Sequence, residues 1–154
     1  MSADRAQLRV FGFPLHVRAG FWILMVAFVA LSGDPHFGVP FALCVGGFTL
    51  LHELGHAFAA RATGAEAEIA LDFMAGYTSF SPRRPLRRWE RIGVSLAGPV
   101  VQILVGGLLY LSLRGGFARP EADSAWQIAV LWAGPFLGGL NLLPMMPLDG
   151  GNVA

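Results

Sequence analysis

Residues 37–60 read FGVPFALCVGGFTLLHELGHAFAA, an apolar run whose second half carries three ionisable groups, His52, Glu53 and His56. About 20 residues of helix span a hydrocarbon core, so the run is long enough for one crossing. A charged side chain at the centre of such a helix costs roughly 2.5–3.5 kcal/mol on insertion scales; three within five residues imply a task. On a helix, His52 and His56 are four apart and share a face, so both imidazoles can bind one Zn²⁺. Glu53 sits beside that face, where its carboxylate can take a proton from water activated by the ion. The bland reading is that His and Glu satisfy each other inside a helix bundle, but pairing alone does not require this spacing.

The rest of the chain agrees with a bilayer setting. Of 154 residues 55% are hydrophobic and 14% charged, against about a quarter charged in soluble domains. Mean hydropathy is +0.57. The length suits a single domain. The lone cysteine, Cys44, excludes an internal disulfide and reads as a small core residue. The N-terminal apolar run is followed by Gly33-Asp34-Pro35-His36 without a small-residue cleavage pattern, unlike a signal peptide.

Four segments are apolar enough to enter a bilayer: 19–32, 37–60, 92–113 and 126–146, the last broken at Pro144 and Pro147. Two stretches differ. LRVFGFPLHV (8–17) alternates around Phe-Gly-Phe-Pro, and EIALDFMAGYTSF (68–80) is rich in β-branched and aromatic residues around Gly76. Both predict short hairpins. The expected fold class is an all-α polytopic membrane protein with about four transmembrane helices and short β-hairpin elements near 8–17 and 68–80.

All eleven basic residues are Arg. Arg5, Arg9 and Arg18 precede the first apolar segment, and six more lie between Arg61 and Arg91. Positive-inside counting puts both regions in the cytoplasm, with the loops at Asp34 and at 114–123 outside. His52 and His56 then fall in the inner half of the second helix, and Asp149 follows the inner end of the fourth. The basic stretch SPRRPLRRWER (81–91) fits a phospholipid headgroup surface better than nucleic acid, because apolar spans flank it.

A catalytic zinc wants a third protein ligand and one open position. His16 and His36 qualify by residue type but lie at segment ends. Asp149 lies in NLLPMMPLDGG (141–151), where prolines interrupt the helix and Gly150-Gly151 lets the backbone approach closely. It reads equally as a third ligand or as a turn aspartate at a membrane surface.

HELGH on an apolar helix, followed by N-x-x-P-x-x-P-L-D-G-G, resembles the site-2 protease family of intramembrane zinc metalloproteases. GVSLAGP (93–99) is similar to that family's small-residue motif on the third helix. The resemblance covers essentially the whole chain. It implies His52, His56 and Asp149 as ligands of one Zn²⁺ per chain, Glu53 as general base, and Asn141 as a catalytic residue near the reaction centre. It implies that the hairpin at 71–80 pairs with an unwound substrate segment, and that Gly98, Gly106 and Gly107 allow close packing. Where family members usually carry Asn, three residues after Gly-Pro, this chain has Gln102. Residues 1–154 read as one transmembrane metalloprotease core domain, incomplete at its C-terminus, because family members continue with a helix beyond Asp-Gly-Gly.

The expected function is hydrolysis of peptide bonds in membrane-spanning protein or peptide substrates. The chain is then an integral protein of a bacterial or archaeal cell membrane, its active site toward the cytoplasm, with no nucleic-acid partner. The alternatives are a catalytically inactive zinc-binding relative and a divalent-metal transporter. A transport path calls for polar ligands along several helices, whereas the third segment offers only Ser95, Gln102, Tyr110 and Ser112.

Overall fold

The computed structural model describes residues 8–73, 76–115, 124–145 and 148–152. Residues 116–123 of the expected outer loop at 114–123, Arg5 and the second helix-breaking proline, Pro147, lie outside the described residues. Strands β1 (Leu8–Val10) and β2 (Phe13–Val17) precede helices α1 (Ala19–Leu31) and α2 (Pro35–Ala62). Strands β3 (Glu66–Leu71) and β4 (Gly76–Ser81) lead into α3 (Arg88–Gly115). The chain then forms α4 (Ala125–Leu131), a π turn (Trp132–Phe136) and α5 (Leu137–Leu140), and ends on a 3₁₀ turn (Asp149–Asn152).

The protein is mostly helical, as read, but "all-α" needs correcting. The two hairpins are not isolated; they join into one four-stranded mixed sheet, ordered β1-β2-β3-β4. The first turns at Phe11 and Gly12, both with positive φ, the pattern of a tight hairpin turn that follows strand twist. The join is a parallel pairing of β2 with β3, Leu15 opposite Ile69 and Val17 opposite Leu71. The Arg18 N–H extends it to the Leu71 carbonyl at 2.9 Å. Parallel pairing links residues about fifty apart, and no local pattern in either hairpin announces it.

Strand alternation turns Ala67, Ile69 and Leu71 inward. There they meet Leu54, Ala57 and Ala60 on the C-terminal half of α2. A second cluster joins the N-terminal half of α2 (Cys44, Val45, Phe48) to Ala129, Val130 and Ala133. Helix α2 is thus the central element: Asp34 caps its start by accepting from the His36 N–H at 2.9 Å, and the sheet covers its end.

Helices α2 and α3, 28 residues each, are long and apolar enough to cross a membrane. Helix α1 and the continuous helical run Ala125–Leu140 are shorter. The fourth segment stops at Leu140, earlier than its apolar character suggested. The Leu143 N–H closes a turn on the Leu140 carbonyl, and Pro144 disfavours helix in the residue before it. Trp22, Ile23 and Val26 on α1 and Leu104, Leu108 and Leu111 on α3 point outward, each 59–67% exposed. A soluble monomer rarely shows so continuous an apolar surface; lipid is the solvent these faces suit.

Candidate metal centre

One turn of α2 presents the HELGH residues, and α3 comes close enough to brace them. Gly98 lies directly against the His56 imidazole, where no Cβ would fit. Across the site, the 3₁₀ turn brings Asp149 up from the far end of the chain. It is tied back to the α5 exit by the Gly150 N–H, which donates to the Asn141 carbonyl at 2.8 Å. The structure therefore brings together His52, His56 and Asp149, residues 97 positions apart in sequence. Nε2 of His52 lies 3.0 Å from Nε2 of His56 and 2.9 Å from Oδ2 of Asp149. Oδ1 of Asp149 is 3.4 Å from Nε2 of His56.

The protons decide what this cluster can hold. Nδ1 of His56 is 2.7 Å from the Val94 carbonyl oxygen, and Nδ1 of His52 is 2.7 Å from Oε1 of Gln102. Both partners only accept, so each neutral imidazole carries its hydrogen on Nδ1. The two Nε2 lone pairs then face each other and a carboxylate, three acceptors converging without a donor. A cation satisfies that arrangement. Tetrahedral zinc with bonds of roughly 2.0–2.2 Å would set its ligands about 3.3–3.6 Å apart, a spread of a few tenths of an ångström from the spacings here. Two imidazoles and one carboxylate are also a donor set that catalytic zinc uses. The residues fit the metal.

Glu53 is 5% exposed and turns toward the sheet. Its Oε2 accepts from the Thr78 hydroxyl at 2.8 Å. Its side chain also packs on the Cα of Gly76, where a Cβ would approach Cγ of Glu53 to 2.6 Å. Glu53, both histidines, Asp149 and Asn141 line one cavity of about 1010 Å³, which Tyr77 and Arg91 also border. His16 pairs loosely with Glu68 at 3.7 Å, and His36 sits in the first turn of α2. Neither borders the cavity.

A sequence profile of peptidase family M50 matches residues 40–130. The chain belongs to that family. The matched span holds the HELGH residues and Gln102 and ends before Asn141 and Asp149. Among curated relatives, a zinc metalloprotease of Methanocaldococcus jannaschii is 28% identical over 148 residues, covering 94% of this chain and 42% of the relative. A Synechocystis protein, provisionally named a zinc metalloprotease, is 30% identical over 159 residues, covering 94% of this chain and 41% of the relative. The chain thus spans about two fifths of the length of the curated relatives it matches. A solved site-2 protease from M. jannaschii shares the fold, with a TM-score of 0.74 at 24% identity over 95% of this chain and 67% of that one.

Reading the sequence missed two contributors to this M50 site. Gln102 drew notice only as a departure and as one of few polar groups on the third segment. Thr78 gave no signal beyond its β-branched character.

Proposed function

We propose that residues 1–154 form the catalytic core of an intramembrane zinc metalloprotease of the M50 family. In this reading α1 and the helical run Ala125–Leu140 join α2 and α3 as four membrane-embedded helices, and the site opens toward the cytoplasm. The observation that carries the proposal is the convergence of two bare imidazole nitrogens and a carboxylate beside Glu53, in a cavity roomy enough for a peptide.

His52, His56 and Asp149 would hold the metal. Bound zinc supplies Lewis acidity, bringing the pKa of a water molecule to about 7 and polarising a carbonyl. Glu53 takes the proton from the attacking water as its oxygen bonds to the scissile carbonyl carbon. The same carboxyl then delivers that proton to the departing amine as the C–N bond breaks. The Asn141 side chain, on the cavity wall, donates a hydrogen bond to the developing oxyanion.

A substrate helix keeps its carbonyls in internal hydrogen bonds and must unwind before one becomes reachable. Strand β4 is one of the two outer strands of the sheet, and its start, Gly76, borders the cavity. An extended segment of a membrane-spanning substrate adds there as a fifth strand, its backbone held by the open edge.

The test is zinc content and cleavage together. Purified chain in detergent should bind one zinc, and it should cut a transmembrane peptide reconstituted with it. Glu53→Gln should keep the zinc and lose the cutting. Absence of zinc from the wild type, or cleavage by Glu53→Gln at the wild-type rate, would sink the proposal. Two or more zinc ions per chain would favour transport.

A further inference from the structure

Gln102, the only side-chain amide on α3, is 3% exposed and bridges two helices. Its Nε2 donates to the Ala133 carbonyl at 2.6 Å, and its Oε1 accepts from Nδ1 of His52 at 2.7 Å. The Ala133 carbonyl can receive it because of the π turn. In an α-helix that carbonyl would be taken by the N–H of Leu137, four residues on. Here the Leu137 N–H bonds to the Trp132 and Gly134 carbonyls instead, and the ring of Pro135, inside the turn, would clash with the Leu131 carbonyl in α register, which favours the slip.

Orientation passes along this chain one hydrogen at a time. The Ala133 oxygen only accepts, so the amide must turn its NH₂ toward it. That leaves Oε1 facing His52, and Oε1 in turn only accepts. The His52 hydrogen is thereby held on Nδ1, and Nε2 is left bare toward His56 and Asp149. Single π turns inside α-helices are frequent at functional sites, and this one reaches His52 through Gln102.

We infer that Gln102, anchored on the carbonyl that the π turn releases, is a positioning residue that sets the ring and tautomer of His52 for zinc. The inference rests on the zinc reading above. Outer-shell partners of a zinc-bound histidine commonly contribute 10–100-fold in metal affinity (order of magnitude).

The experiment is a zinc titration of the full chain in detergent against a chromophoric chelator, paired with spectra of ¹⁵N-labelled histidine. It compares wild type, Gln102→Leu and Gln102→Glu. Gln102→Leu should weaken zinc binding by about 10–100-fold and lose the Nδ1–H signature of His52. Gln102→Glu keeps an acceptor for His52 but gives up the donor to Ala133, so its affinity should fall between those of the wild type and Gln102→Leu. Wild-type affinity in Gln102→Leu, or equal loss in both variants, would overturn the inference and leave the amide as helix packing. Should Gln102→Leu fail to fold, Pro135→Ala provides the same test. It lets α register return and gives Ala133 a helical partner, so zinc affinity should fall; unchanged affinity would count against the relay. A wild type that binds no zinc defeats the functional reading itself, a different result from a wild type that binds and a Gln102→Leu that binds equally well.

Discussion

The hydroxyl of Thr78 stands 2.8 Å from Oε2 of Glu53 and 3.0 Å from the backbone carbonyl oxygen of the same residue. A β4 side chain therefore holds the group proposed as general base, and the strand proposed to receive substrate touches the chemistry directly. We expect Thr78→Val to lower kcat by roughly 10–100-fold, the equivalent of one hydrogen bond to a charged group at about 1.5–3 kcal/mol. Zinc content should be unchanged. Wild-type turnover in this variant would show that Glu53 needs no such restraint.

Glu53→Gln is expected to separate binding from chemistry. Glutamine keeps the size of the side chain and gives up the proton-accepting carboxylate. Proteolysis should fall by about 10²–10⁴-fold while one zinc stays bound, as metal analysis of the protein used in the assay would show.

The packing of Gly98 on His56 predicts a steric lesion. Gly98→Ala puts a methyl group into the imidazole, and overpacking of this kind costs typically ~1–3 kcal/mol. Thermal stability and zinc content should drop together. Gly93→Ala, five positions earlier on α3, meets nothing within 4 Å and should leave both unchanged. Equal behaviour of the two variants would argue against the close α2–α3 contact.

Asp149→Ala should weaken zinc binding by more than the roughly 10–100-fold expected for an outer-shell loss, because it removes a proposed ligand. Gly150→Ala should act in the same direction with the carboxylate intact, since an added Cβ would strike the Leu142 carbonyl and dislodge the turn. A chelator titration reads both. Undiminished affinity in Asp149→Ala would return that residue to the turn-aspartate reading.

Much of this was legible in the sequence, for identifiable reasons. His52 and His56 share a face because helical spacing dictates it, and Phe11-Gly12 announces its own turn. The sequence leaves Asp149 evenly between third ligand and turn aspartate, and only the 3₁₀ turn with the Asn141–Gly150 bond shows that it lies beside the histidines. Neither the β2–β3 pairing nor the π turn could be read. The first is a contact between distant segments, and the second is a register slip whose only local sign is Pro135. Gln102 gains its meaning from that slip, so its role stayed hidden with it.

The β2–β3 pairing also constrains how the chain is threaded. Strand β2 ends just before α1, and β3 starts just after α2, so everything between them is an excursion that must return to its starting side. An odd number of bilayer crossings between Val17 and Glu66 cannot coexist with the β2–β3 pairing. Under the proposed reading with α1 and α2 both crossing the bilayer, the sheet acts as a parity check on insertion: a chain that leaves either helix on the wrong side forfeits Leu15–Ile69 pairing. Strand β3 also carries β4, with Ile69 opposite Thr78, so the strand that this check secures is the one that backs the Thr78–Glu53 contact.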